Sequence, residues 1–136
     1  MKIFVRMFKK TKWLAKEAQL RIKYMTTSDC LFCKIVKGEI KSEFLKESDK
    51  VVTVADINPV ADVHILIVPK KHIESVSTIR KEDSDYLVDM FAIASSLAKE
   101  KKLDAYRLSF NAGSYQHVGH LHMHLLAGSK IQWSKL

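Results

Sequence analysis

The segment His120-Leu121-His122-Met123-His124-Leu125 alternates imidazole and apolar side chains without a break. Such alternation is the period of an extended strand, in which residues i, i+2 and i+4 share one face. A strand over 120–127 would line up three imidazoles on one side and send Leu121, Met123 and Leu125 into a core. Three rings at adjacent same-face positions cannot all be cationic without a large penalty. The pattern therefore calls for neutral, mutually ordered imidazoles, suited to a nucleophile, a proton donor or a metal ligand. Chelation by the alternating histidines competes with that reading, as does a polar strand face that is simply solvated.

The rest of the chain frames this strand. Asp29 is placed to cap a short helix over 30–37, with Gly38 as its terminator. The β-branched runs 51–55 and 64–68 read as strands, and the short turn around Asn58-Pro59 suits an antiparallel pair. A helix is expected over 84–101, with Leu87, Phe91, Ala94, Leu97 and Ala98 as its apolar face. Residues 106–111 read as a further strand and Ala112-Gly113-Ser114 as a turn. These elements predict an α+β fold: an antiparallel sheet with a central helix and a short N-terminal helix. At 136 residues, 47% of them hydrophobic, the chain is long enough to bury a core in one domain.

Its charge is unevenly placed. Residues 1–27 hold eight lysines and arginines against Glu17 alone, which leaves the other 109 residues nearly balanced at 15 basic and 14 acidic. A nucleic-acid-binding domain would spread its cations over the folded surface, so no nucleic-acid partner is expected. The chain divides into a basic amphipathic extension, 1–27, and a domain, 28–136. In the extension Phe4, Met7, Phe8, Leu14, Ala15, Ala18, Ile22 and Met25 recur at helical spacing. Such a helix can lie on an anionic membrane surface, and it partly resembles an organelle presequence. The plainer readings are an appended segment or a true start at Met25. No apolar run is long enough to span a bilayer.

Two cysteines are too few to staple a secreted domain, and their Cys30-Leu31-Phe32-Cys33 spacing fits a reducing, cytoplasmic setting. One helical turn brings both sulfurs toward one point. Redox, zinc and packed-thiol readings remain open on spacing alone.

The histidine strand resembles the signature of the histidine triad (HIT) superfamily. So do the blocks Cys30–Ile40, Ala55-Asp56-Ile57-Asn58-Pro59 and His64–His72, in that order, and the likeness covers roughly 29–133. The similarity is strongest to the branch that hydrolyses nucleoside phosphoramidates. It implies a HIT-like fold and a hydrolase or transferase acting at the α-phosphate of purine nucleoside phosphoramidates or aminoacyl-adenylates. By resemblance His122 is the nucleophile that forms a nucleotidyl-histidine, His124 hydrogen-bonds the phosphate and helps the leaving group, and His120 and His64 support the site. An AMP-like purine nucleotide would meet Asp56 at its ribose and Phe32 and Ile57 at its base. Asn111, Ser114 and Gln116 would lie near its phosphate, with Asn58 and His117 completing the contacts. His117 stands where the branch usually has serine or threonine, and Gly119 replaces a bulkier residue, which touches substrate preference.

The same resemblance implies structural zinc on Cys30, Cys33, His72 and His120, and no organic cofactor. It also implies a homodimer formed through the central helix and an edge strand, with Trp133 near the partner's site. A dinucleoside polyphosphate hydrolase, or a zinc-stabilised nucleotide-binding module with negligible catalysis, are the alternative functions.

Overall fold

The computed structural model describes residues 29–128 and Ile131. The amphipathic extension and Trp133 lie outside them. The first element, α1 (Leu31–Val36), is capped by Cys30, whose sulfur accepts the Cys33 N–H at 3.4 Å. The cap is therefore Cys30 and not Asp29: the thiol replaces the usual oxygen acceptor one residue later. Gly38 ends the turn at φ +78°, a conformation that suits glycine.

Five strands follow in one antiparallel sheet. They are β1 (Lys46–Glu47), β2 (Val51–Ala55), β3 (Val63–Pro69), β4 (Arg107–Ser109) and β5 (Met123–Ala127), in the spatial order β1-β2-β3-β5-β4. The pairing of β2 with β3 across the Asn58-Pro59 turn is the expected one. The long helix α2 (Ser84–Glu100) crosses one face of the sheet. Val51, Ile65, Ile67, Met123 and Leu125 pack there against Met90, Ile93, Ala94 and Leu97. Val52, Val54, Leu66 and Val68 point the other way, onto Phe32, Cys33 and Ile35 of α1. Both faces are thus covered, which is why β2 and β3 read as continuous apolar runs rather than alternating ones.

Three further expectations need correction. The last strand begins at Met123, not at residue 120. In the register that pairs Ile67 with Met123, two positions further along would set Pro69 against Leu121. Proline has no N–H to continue that ladder, so the pairing of β3 with β5 stops at Met123, while β3 stays paired with β2 as far as Pro69. Residues 120–122 still run beside the sheet with the same alternation, Leu121 in the core and His120 and His122 on the opposite side. On α2, Phe91 is half exposed at 50%, and Met90 and Ile93 take the core positions instead. Phe91 packs beside Phe110, with ring centroids 6.4 Å apart, on the rim of that face. Finally, the strand expected over 106–111 shortens to β4, because it pairs only with Leu126, Leu125 and His124 of β5. No described helix is long and apolar enough to cross a membrane.

Candidate active site

Four histidines gather on the α1 side of the sheet: His64 from β3, His124 from β5, and His120 and His122 from the extended segment before β5. All are buried. Their protonation follows from backbone partners that can play only one role.

A carbonyl can only accept. The His120 carbonyl lies 2.7 Å from His122 Nδ1, so that nitrogen donates and the lone pair of His122 rests on Nε2. A backbone N–H can only donate. The Val60 N–H points at His64 Nδ1, 3.1 Å away, which leaves the His64 proton on Nε2. That Nε2–H faces His124 Nδ1 at 2.9 Å, with the Asp56 carboxylate 3.3 Å to one side. His124 therefore accepts at Nδ1 and carries its own proton on Nε2; Asn111 Nδ2 lies 3.5 Å from that nitrogen, and this tautomer requires the carboxamide turned so that its oxygen accepts. Two backbone groups thus set three tautomers. A bare nitrogen on His122 and an N–H on His124 are presented side by side, with ring centroids 5.1 Å apart.

Burial keeps these rings neutral. It pushes His124 down to about 3, helped by the nearby His122, His64 and His117. It also lowers His122 and His64, against the opposing pull of the Asp56 carboxylate on each. At neutral pH the site is a set of uncharged imidazoles, one of them with an unencumbered lone pair.

A second cluster lies alongside. His120 donates Nε2–H to the Pro69 carbonyl at 2.8 Å, which turns its Nδ1 lone pair toward the cysteines. Cys30 Sγ is 3.2 Å from that nitrogen, Cys33 Sγ 3.6 Å and His72 Nδ1 3.1 Å. The four donor atoms lie within 4.8 Å of one another and can hold a metal ion. The separations of 3.1–3.6 Å among them are close to those of a zinc tetrahedron, whose bonds of about 2.0–2.3 Å give donor separations of about 3.3–3.8 Å. The His120–Pro69 bond is the outer hydrogen bond that metal-ligating histidines usually make. Without a cation, burial and the neighbouring Cys30 push the Cys33 thiol up to about 12, so that sulfur is a poor ligand until a metal displaces its proton. Asp56, His64 and His124 form another group of potential ligands. They fit a metal poorly, because His64 Nε2 carries the proton that Val60 leaves to it.

The remaining expected contacts spread around this centre. Phe32 is buried under His120 and His122, its ring 5.7 and 5.2 Å from theirs. Asp56 sits half-buried against His64, its second oxygen accepting the Asn58 N–H at 2.8 Å, while the Asn58 side chain is exposed and Ile57 is half-buried. Gln116 spends its amide on two carbonyls, those of Glu74 and Val118, both at 2.8 Å, and so braces the loop before the histidines. Ser114 and His117 are exposed on that loop. The orienting groups from Val60 and Pro69 were not anticipated. The proline was visible in the sequence, but backbone donors and acceptors carry no residue-type signal.

The family described as "Scavenger mRNA decapping enzyme C-term binding" matches residues 29–135. An uncharacterized HIT-like protein of Buchnera aphidicola is 38% identical over 105 residues, covering 74% of this chain and 94% of that protein. An adenosine 5′-monophosphoramidase of Candida albicans is 38% identical over 109 residues, 73% of this chain and 70% of that protein. Among solved structures, a histidine triad protein from Clostridium difficile is 44% identical with a TM-score of 0.73, covering 79% of this chain and 96% of that one. A HIT family hydrolase from Legionella pneumophila, 39% identical, has the same TM-score and covers 79% of this chain and all of that one.

The neutral histidines make stability depend on pH in a definite direction. His64 and His124 have lowered proton affinity only when folded, so the unfolded chain binds more protons below about 6.5. Stability present above that value is lost as the pH falls toward the folded value of about 3 for His124. Denaturant midpoints at pH 7.5, 6 and 5, taken with chelator present, should fall steadily, and His124→Gln should flatten the slope. Equal slopes in the two proteins would contradict neutral burial of His124.

Proposed function

The chain belongs to the histidine triad superfamily, and on that premise we propose that it hydrolyses purine nucleoside phosphoramidates or aminoacyl-adenylates at the α-phosphate. One observation carries the reading: the pairing of a bare His122 Nε2 with a His124 Nε2–H, both set by backbone hydrogen bonds. The adenosine 5′-monophosphoramidase activity named for the Candida relative supports this choice of substrate over a dinucleoside polyphosphate.

In the proposed reaction His122 Nε2 attacks the α-phosphorus. The phosphorus–nitrogen bond to the leaving group breaks, and the electron pair left on nitrogen takes up a proton from water, so that it departs as the neutral amine. His122 becomes a nucleotidyl-imidazole. A neutral imidazole is nucleophilic at pH 7, and the His120 carbonyl stabilises the charge that grows on the ring as the bond forms. The His124 N–H donates to a phosphoryl oxygen and holds the phosphate in line. Asp56, an acceptor-only group, suits the ribose hydroxyls, and Ile57 beside it suits the base. His64 acts through His124 by fixing its tautomer. Water then attacks phosphorus, the bond to His122 breaks, and the nucleoside monophosphate leaves.

Zinc on Cys30, Cys33, His72 and His120 would act structurally, since four protein ligands leave no open position. It would tie α1 to the segment that carries His122, and His120 would link the two by ligating through its ring while orienting His122 through its carbonyl. A homodimer over the face of α2 is supported by exposed Val88, at 66%, next to half-exposed Phe91.

Two results test this reading. His122→Ala should lower turnover of adenosine 5′-phosphoramidate by about 10³-fold or more while the protein stays folded, because the covalent route is lost. Turnover comparable to that of the unaltered protein would refute the nucleophile. Protein purified without added metal should carry about one equivalent of zinc per chain, and chelation should lower its melting temperature. Elemental analysis giving under about a tenth of an equivalent would defeat the zinc assignment.

A further inference from the structure

His64 and His124 share one hydrogen bond, 2.9 Å from Nε2 to Nδ1, and a bond between two imidazoles can run either way. With His64 donating, His124 keeps an N–H on Nε2 for the phosphate. With His124 donating from Nδ1, its Nε2 is bare and would meet the phosphate with a lone pair. The far side of His124 does not choose between them. Asn111 Nδ2 lies 3.5 Å from His124 Nε2, and a carboxamide can be turned to offer either its nitrogen or its oxygen there. The direction is therefore decided at His64.

Two groups hold His64 in the useful direction. The Val60 N–H occupies Nδ1 at 3.1 Å, a single neutral hydrogen bond. At the other end Asp56 Oδ2 lies 3.3 Å from Nε2, beside the contact with His124. The His64 side chain is 4% exposed and that of Asp56 15%, so little water screens the charge. A carboxylate so placed favours a hydrogen on Nε2 and repels a lone pair, which is what the reversed bond would turn toward it. Asp56 is itself fixed: Oδ1 accepts the Asn58 N–H at 2.8 Å, and its backbone N–H donates to the His64 carbonyl at 2.9 Å. An ionised carboxylate offers about four acceptor sites. Asn58 faces one oxygen and His64 the other, which leaves about two sites for the hydroxyls of a ribose. One carboxylate can therefore meet the sugar and hold His64 at the same time.

We propose that Asp56 is a positioning residue for His124: its carboxylate sets the direction of the His64–His124 hydrogen bond, a role separate from meeting the ribose. The inference rests on the phosphoramidate reading above. Asp56 acts through His64 and does not touch the phosphate. Its charge keeps the His64 proton on Nε2, His124 accepts that proton at Nδ1, and the N–H of His124 is left pointing at the phosphoryl oxygen.

Asp56→Asn and Asp56→Ala separate this role from ribose binding. In Asp56→Asn the Asn58 N–H keeps the amide oxygen where Oδ1 was, which sets the amide NH2 beside His64 Nε2. Donor then faces donor, and the reversed bond is favoured. Asp56→Ala only removes the charge and leaves the Val60 bond to act alone. With full-length protein and adenosine 5′-phosphoramidate, Asp56→Asn should lower kcat about 10²-fold, the loss expected for one hydrogen-bond donor to a reacting oxygen. Asp56→Ala should lower it less. A residue that only binds ribose predicts the opposite order, because an amide still bonds hydroxyls, and a loss mainly in KM. The order should persist with 2′,3′-dideoxyadenosine 5′-phosphoramidate, which has no hydroxyls for Asp56 to meet. Nitrogen-15 NMR of the folded, substrate-free variants should show His124 protonated at Nδ1 in Asp56→Asn, and in part in Asp56→Ala. An unchanged His124 tautomer in both variants, or an unchanged kcat on the dideoxy substrate, overturns the proposal. If the unaltered protein turns over neither substrate, the phosphoramidate reading fails, and the His124 tautomer in the variants still decides the role of Asp56.

Discussion

Three backbone groups hold the buried imidazoles: the Pro69 and His120 carbonyls and the Val60 N–H. A side-chain partner can rotate or titrate, but a backbone carbonyl can only accept and an amide can only donate, so these contacts dictate which ring nitrogen is bare. From them follow a bare nitrogen on His122, an N–H on His124, and a His120 lone pair aimed at the two cysteines. Each such group is fixed by the sheet or by the segments beside it, so the ring chemistry is a direct consequence of strand placement. Pro69 has two parts in this. Lacking an N–H, it ends the pairing of β3 with β5, and its carbonyl takes the His120 proton. The segment 120–122 is thereby left off the ladder, with its own carbonyls free to orient the following ring.

That arrangement joins two centres through one residue. His120 faces the cysteine cluster with its ring and His122 with its carbonyl, so a displacement of one reaches the other through a single peptide unit. A tetrahedral ion on Cys30, Cys33, His72 and His120 would therefore stiffen the peptide that orients the proposed nucleophile. The same economy limits the buried rings. They are desolvated and held by partners of fixed role, which suits nucleophilic attack and phosphate binding.

Much of this was legible in the residues. The 120–125 alternation placed Leu121, Met123 and Leu125 in the core and grouped the imidazoles opposite, and the β-branched runs and the Asn58-Pro59 turn gave the paired strands. Alternation, however, reports which face a side chain takes and not whether the backbone is paired. Nothing in the run itself showed that the ladder stops at Met123. Helix α2 misled for a related reason: an apolar residue at the right spacing can lie on the rim, and the half-exposed Phe91 does. Side-chain types signalled the cysteine–histidine cluster through spacing and resemblance. The tautomers had no such signal, because backbone donors and acceptors look the same at every position.

The most direct test is nitrogen-15 NMR of the imidazole rings of the whole protein at pH 7. The account predicts a neutral His122 protonated at Nδ1 and bare at Nε2, with neutral His64 and His124 protonated at Nε2. A His122 protonated at Nε2, or an imidazolium at His64 or His124, would contradict it.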